Sequence, residues 1–235
     1  MNAHRRTAVI VGALYIVGTF AGVLSMLVMG GRLDGPHYLA SLAADPDPVK
    51  LGALLVLVMG LALAMVPVMM FPILKRQSEA LAVGYVVFRG ALETLLYIAG
   101  ALSWLLLIIV AHQSSGSSPS PGSQASSLGD LLVRAGDPIT AVRDIVFSLG
   151  ALIFYYLLYA ARLIPRWLSG WGIAGTIGYL AAGVIAVFST EPFALLLPLA
   201  LQEMVMAVWL IAKGFNTNAI ADLTPPHAAV IPGRP

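Results

Sequence analysis

Six long apolar runs, separated by shorter polar stretches, set the pattern of this chain. The first runs from Thr7 to Met29 behind a basic start at His4-Arg5-Arg6, the second from Leu51 to Leu74, and the third over residues 84–111. The others cover residues 139–161, 170–189 and 193–212. An α-helix needs about 20 apolar residues to cross hydrocarbon, so the pattern predicts an all-α, polytopic membrane protein with six transmembrane helices. A secretory signal has an apolar core of only about 7–15 residues, so the first run is read as a span.

The polar stretches divide these spans. Residues 30–50 carry Gly35-Pro36, Asp45-Pro46 and Asp47-Pro48, which mark turns and a helix start. Lys75 to Glu79 is a short basic turn, after which the apolar stretch from Ala80 to Ala111 is long for one span. As a helix it reaches roughly 45 Å, against a hydrocarbon core of about 30 Å, so it must tilt or project. Residues 112–138 form a Ser/Pro/Gly-rich outer loop expected to be flexible, with a short amphipathic element over Leu128–Val133. Thr190-Glu191-Pro192 reads as a tight turn before the sixth span. The six-helix domain then covers residues 1–215, and the polar tail of residues 216–235 is expected to be disordered. The signs of an internal repeat are weak: spans 2 and 4 both end near a proline and basic residues, but spans 1 and 4 share no comparable pattern.

Inside the spans, small residues mark faces that approach other helices. Gly18 and Gly22 share a face with Tyr15 and Ser25, and the fifth span carries Gly172, Gly175, Gly178 and Gly183. Pro67 and Pro72 each remove a backbone donor from the second span, which predicts a kink or local unwinding and makes the Pro67 region a candidate site wall.

Composition agrees with this reading. The chain is 59% hydrophobic and only 10% charged, with a mean hydropathy of +0.90, against about 25% charged residues in a soluble domain. The net charge of +2 lies in clusters beside spans rather than in a patch, so it marks topology and not a nucleic-acid surface. A cytoplasmic N-terminus puts Arg5, Arg6, Lys75, Arg76, Arg162, Arg166, Lys213 and Arg234 inside and leaves Arg32, Lys50 and Arg134 outside. Both termini are therefore expected in the cytoplasm, with Trp104, Trp167, Trp171 and Trp209 in interfacial belts. With no cysteine, disulfide, thiolate and iron–sulfur chemistry are excluded. Neither a metal nor a cofactor is expected: His37, His112 and Asp34 have no ligand spacing, and no phosphate loop, nucleophile elbow or haem-binding histidine pair occurs.

Several motifs line up with a known family. They are Phe71-Pro72-Ile73-Leu74-Lys75-Arg76, then Gly84-Tyr85 with Phe88-Arg89 and Glu93, and Leu197-Pro198 with Gln202-Glu203 and Ala207 to Phe215. With Arg143-Asp144 and Pro165-Arg166-Trp167-Leu168-Ser169, the chain resembles the bacterial multi-pass family called domain of unknown function 4386, over about residues 5–215. The resemblance implies a bacterial cytoplasmic membrane protein of this size and no particular activity.

The candidate chemistry lies in Arg89, Glu93, Arg143, Asp144 and Glu203, which interrupt otherwise apolar spans. Each such charge costs roughly 2.5–3.5 kcal/mol at a helix centre, and one contact at 4 Å returns about 4 kcal/mol at an effective dielectric near 20. Pairing alone does not offset burial, so further hydrogen bonds, water or a cavity are expected. Gln202 and the tyrosines Tyr15, Tyr97, Tyr155 and Tyr179 are candidate partners. Counted depths predict that Arg89, Glu93 and Glu203 meet in the interior while Arg143 and Asp144 form a more external layer. Two cations against three carboxylates leave one carboxyl to be protonated or to meet a cation. These residues are the binding or proton-relay candidates. Three functions fit them: binding or translocation of a small polar or amphiphilic molecule, an intramembrane enzyme acting on a lipid or isoprenoid, and a scaffold whose charges only specify packing. The expected partners are the bilayer and a small-molecule or lipid ligand.

Overall fold

In the computed structural model, residues 3–113, 124–190 and 192–223 are described. The centre of the Ser/Pro/Gly-rich loop, Glu191 of the tight turn and the tail from residue 224, with Arg234, lie outside the described residues.

Among the described residues, six helical stretches are long and apolar enough to cross a membrane. The first is α1 (Ala3–Met29), followed by the short α2 (Tyr38–Ala44) and the long α3 (Asp47–Leu74). The third span is composite: α4 (Glu79–Tyr85), a π-helical turn (Val86–Leu92) and α5 (Glu93–Gln113). The fourth joins α6 (Gln124–Arg134) to α7 (Gly136–Ala160). Then come α8 (Arg166–Phe188), a 3₁₀ turn (Phe193–Leu195), α9 (Leu197–Ala212) and the short α10 (Thr217–Asp222).

Because lipid is as apolar as leucine, these helices are not sorted by a polar and an apolar face. Small and polar residues turn inward and large aliphatic residues face outward. On α1 the buried stripe is Ala8, Val11, Gly12, Tyr15, Gly18 and Ser25, while Phe20, Met26 and Leu27 are exposed. A Cβ on Gly12 would fall 2.6 Å from the Ala207 carbonyl oxygen, so glycine permits α1 to meet the backbone of α9 there. Arg5 ties the same two helices at their ends, donating to the carbonyls of Leu210 and Ile211 at 2.9 and 2.6 Å. These carbonyls have no partner within α9 because the helix is ending.

Each span packs on the next in the chain, and the last returns to the first: α1 on α3, α3 on α5, α5 on α7, α7 on α8, α8 on α9 and α9 on α1. The bundle is a ring in chain order with a central interior. One end, here the terminal end, carries the start of α1 and the end of α9.

The excess length of the third span lies at the opposite end. There Leu107, Ile108, Val110 and Ala111 of α5 form a second core with Tyr38, Leu39 and Leu42 of α2, and Leu132 and Val133 of α6 pack against it. The expected flexible loop over residues 112–138 is therefore corrected on its described flanks. Helix continues through Gln113 and resumes at Gln124, because α6 can lay its apolar side on the projecting end of α5. The Tyr38 hydroxyl pins this cap, donating to Asp130 Oδ1 at 2.9 Å.

One other expectation is corrected. The tail begins with α10 rather than disorder: Ala219 and Ile220 are buried in the main core, and the Asn216 side chain caps the helix by accepting from Asn218 N at 3.1 Å. Of the kink or local unwinding expected at Pro67 and Pro72, unwinding does not occur: α3 remains helical through both.

Candidate functional site

The site begins with the backbone of the third span. Over Val86–Leu92 the helix widens to π geometry, and the Glu93 amide bonds to the carbonyl of Phe88, five residues back. A wider turn brings residues four apart closer to eclipsed. Arg89 Nη1 accordingly donates to both oxygens of Glu93, at 2.9 and 3.0 Å. Single π turns inside helices occur frequently at functional sites. Neighbouring helices fit closely around this one. A Cβ on Gly150 of α7 would meet Arg89 N at 3.2 Å, and one on Gly90 would meet Pro67 Cγ at 3.4 Å. Pro67 thus backs the π turn from α3.

Depth then selects the third partner. Arg89 lies ten residues beyond Glu79 and Glu203 nine before Ala212, which places them about 15 and 14 Å from the terminal ends of their spans at 1.5 Å per residue. Arg89 Nη2 is 3.5 Å from Glu203 Oε1. The Arg89 guanidinium also lies over the Phe147 ring, 4.4 Å from its centroid, with the Tyr15 ring at 5.9 Å. Both Arg89 and Glu93 are buried, while the Glu203 side chain is 16% exposed and the more accessible carboxylate.

Arg143 and Asp144 lie outward of Arg89 and Glu203, close to the level of Glu93, and line the same interior. Their span starts at α6, so the helix extends outward beyond Ile139. Asp144 lies sixteen residues before Ala160 and Glu93 fourteen beyond Glu79, about 24 and 21 Å from the terminal end. Arg143 donates through Nε and Nη2 to Asp144 Oδ1 at 3.0 and 2.8 Å and lies over the Tyr97 ring at 5.2 Å. Asp144 Oδ2 is buried and has no hydrogen-bond partner among the described residues. Gly183 lets α8 close on this point, where a Cβ would meet that of Asp144 at 3.2 Å.

These five charged side chains line one cavity of about 410 Å³ at the centre of the ring, bounded by residues of all six spans. Tyr97, Tyr179, Phe147 and Trp104 supply aromatic walls, and Met59 and Leu199 apolar ones. Trp104, assigned from the sequence to an interfacial belt, faces this cavity. Phe147 escaped the sequence reading although it lies three residues after Asp144, on the same helix face.

The other candidates lie elsewhere. Gln202 is fully buried and spent on structure: its Oε1 accepts from the Tyr155 hydroxyl at 2.7 Å and its Nε2 donates to the Leu168 carbonyl at 3.0 Å, which ties α9 to α7 and α8. Neither Pro67 nor Pro72 lines the cavity. Among the described residues no group of three His, Asp or Glu side chains is placed to hold a metal ion.

Chemically, the arrangement has three carboxylates against two guanidiniums. Arg89 is engaged by Glu93 and Glu203, and Arg143 by Asp144 Oδ1, which leaves Asp144 Oδ2 as an acceptor without a hydrogen bond among the described residues. The model of the family described as domain of unknown function (DUF4386) matches residues 10–214. No curated protein and no solved structure matches the chain.

Proposed function

The chain belongs to the DUF4386 family, and from the polar interior of its ring we propose that it binds a small amphiphilic molecule whose head is cationic or rich in hydrogen-bond donors. The observation that carries this reading is the central cavity, with three carboxylates against two guanidiniums and an unpartnered oxygen on Asp144. A protonated amine supplies the missing charge and donors, and aromatic faces attract the same cation. The apolar walls suit a hydrocarbon portion, and about 410 Å³ falls within the range of small-molecule sites. Translocation, with proton coupling through Glu93 or Glu203, extends this reading. The basic terminal end argues for cytoplasmic termini, and the family resemblance for a bacterial cytoplasmic membrane.

A scaffold role is the second reading, favoured by the internal pairing of Arg89 with Glu93 and Arg143 with Asp144. The two separate in a thermal titration of the purified protein in nanodiscs with primary amines of graded chain length. A ligand at a hundred times its Kd stabilises by about 2.7 kcal/mol. Saturable stabilisation that is lost in Glu203→Gln and Asp144→Asn supports binding. Identical shifts in the variants, or none in the wild type, leave the scaffold.

A further inference from the structure

A second site, independent of the central cavity, lies at the terminal end of the ring. Two segments meet there: the α7–α8 turn, Arg162 to Arg166, and the end of α9, Trp209 with Lys213 to Asn216. In the sequence their basic residues read only as topology marks. The fold places Arg162, Arg166 and Lys213 around one groove of about 520 Å³ whose lining contains no acidic residue. We propose that this groove binds the phosphate of an anionic membrane lipid.

The groove is a built feature. Arg162 adopts φ 53, a left-handed backbone that costs a non-glycine residue roughly 1–2 kcal/mol and persists only where its surroundings enforce it. Asn216 enforces it from the other segment, donating its backbone N–H to the Leu163 carbonyl at 2.9 Å and Nδ2 to the Arg162 carbonyl at 3.4 Å. The same asparagine caps α10, so the first helix of the tail locks the turn. Gly214, at φ 77, lets the chain leave α9 in the direction this contact requires.

Charge and position identify the ligand. Arg162, Arg166 and Lys213 are exposed, and among the described residues none of them forms an ion pair. Arg166 is held over the Tyr159 ring at 5.0 Å. The turn also delivers the N-terminus of α8, a 23-residue helix with no side-chain cap. Its first amides and dipole add to the positive field. Beside the groove Trp167 and Trp209 meet edge to face at 6.4 Å, and Trp167 is 56% exposed, as an aromatic residue is where headgroups meet hydrocarbon. A cationic recess at that level, next to exposed aromatic and aliphatic surface, matches a lipid phosphate with its acyl chains along the outer helices. A free phosphate shares the head chemistry but makes no use of that apolar surface.

The test uses the full chain in nanodiscs of phosphatidylcholine doped with phosphatidylglycerol, with native mass spectrometry counting the lipid retained after release. Wild type is expected to retain one phosphatidylglycerol per chain in preference to phosphatidylcholine. Near an anionic surface each basic group contributes about 1 kcal/mol, or about fivefold. Arg162→Gln, Arg166→Gln and Lys213→Gln should therefore each lower the preference about fivefold and together abolish it, while the lysine variants of the two arginines keep most of it. Lys75→Gln with Arg76→Gln, at the same end but outside the groove, should leave the retained lipid in place. Retention unchanged in the triple variant, or lost equally in the Lys75/Arg76 control, overturns the proposal. Saturable binding of inorganic phosphate in phosphatidylcholine nanodiscs, without retained phosphatidylglycerol, overturns the lipid assignment. Since each single variant is measured alone, the result does not depend on the triple variant folding.

Discussion

Arg89→Gln removes the cation on which the buried Glu93 and the partly buried Glu203 converge. At an effective dielectric near 20, its attractions to Glu93 at 2.9 Å and Glu203 at 3.5 Å amount to about 6 and about 5 kcal/mol before desolvation. Burying three ions within a span costs about 3 kcal/mol each, about 9 in all. The intact cluster is thus near balance, and its loss is not. The variant saves the burial cost of one ion, forfeits both attractions and leaves two carboxylates facing each other. Protonation of one of them limits the damage to the range found when a buried pair is broken, about 3–5 kcal/mol. Insertion moves the opposite way, because a span without its arginine inserts more easily by about 2.5–3.5 kcal/mol. Expression level is therefore no substitute for a folding measurement. Unfolding in bicelles by sodium dodecyl sulfate should show the loss, and adding Glu93→Gln should recover most of it by removing a second ion. A loss under about 1 kcal/mol, or a double variant no more stable than the single one, would refute this account of the interior.

Three further outcomes are expected. Gly12→Ala should cost about 1–3 kcal/mol, since the new Cβ meets the Ala207 backbone oxygen at 2.6 Å, whereas Gly22→Ala should cost less because only the flexible Met59 side chain stands in its way. Equal unfolding midpoints would contradict the close α1–α9 approach. Gln202→Leu should lose about 1–3 kcal/mol by leaving the Tyr155 hydroxyl without its acceptor and removing the side-chain donor to the Leu168 carbonyl, yet keep amine binding in the cavity; loss of binding at unchanged stability would place Gln202 in the site after all. In the cap, burial and the Asp130 carboxylate hold the Tyr38 phenol above its ordinary value of 10.0. Its contribution is complete below that pH and lost as pH rises through the raised value. Difference absorbance against Tyr38→Phe should show no phenolate from this residue near pH 10, and ordinary ionisation there would contradict the buried contact.

Much of the site could be read in the chain because burying charge in hydrocarbon is costly enough to make every intramembrane charge conspicuous. Arg89, Glu93 and Glu203 were recognisable on that ground, and counted depths led to the expectation that the three meet in the interior. The same count put Arg143 and Asp144 outward of these three, but did not show that they line the same cavity. It also missed that α6 extends their span outward on the surface of α5, because nothing in its composition announces the surface it packs on.

The sequence by itself determined the number of spans, the helical class and the identity of the buried charges. Each follows from local rules: helix length against hydrocarbon thickness, and the cost of a charge without water. It also marked the small-residue faces, since close approach requires glycine wherever it happens. Which helices meet was decided only by the tertiary structure. In a bilayer every face of a span is apolar, so no hydrophobic pattern directs α9 back to α1 or closes the ring around a cavity. The spending of Gln202 on Tyr155 and Leu168 and the meeting of Arg162, Arg166 and Lys213 across the chain are consequences of that closure. They depend on contacts between residues tens of positions apart, which local chemistry does not encode.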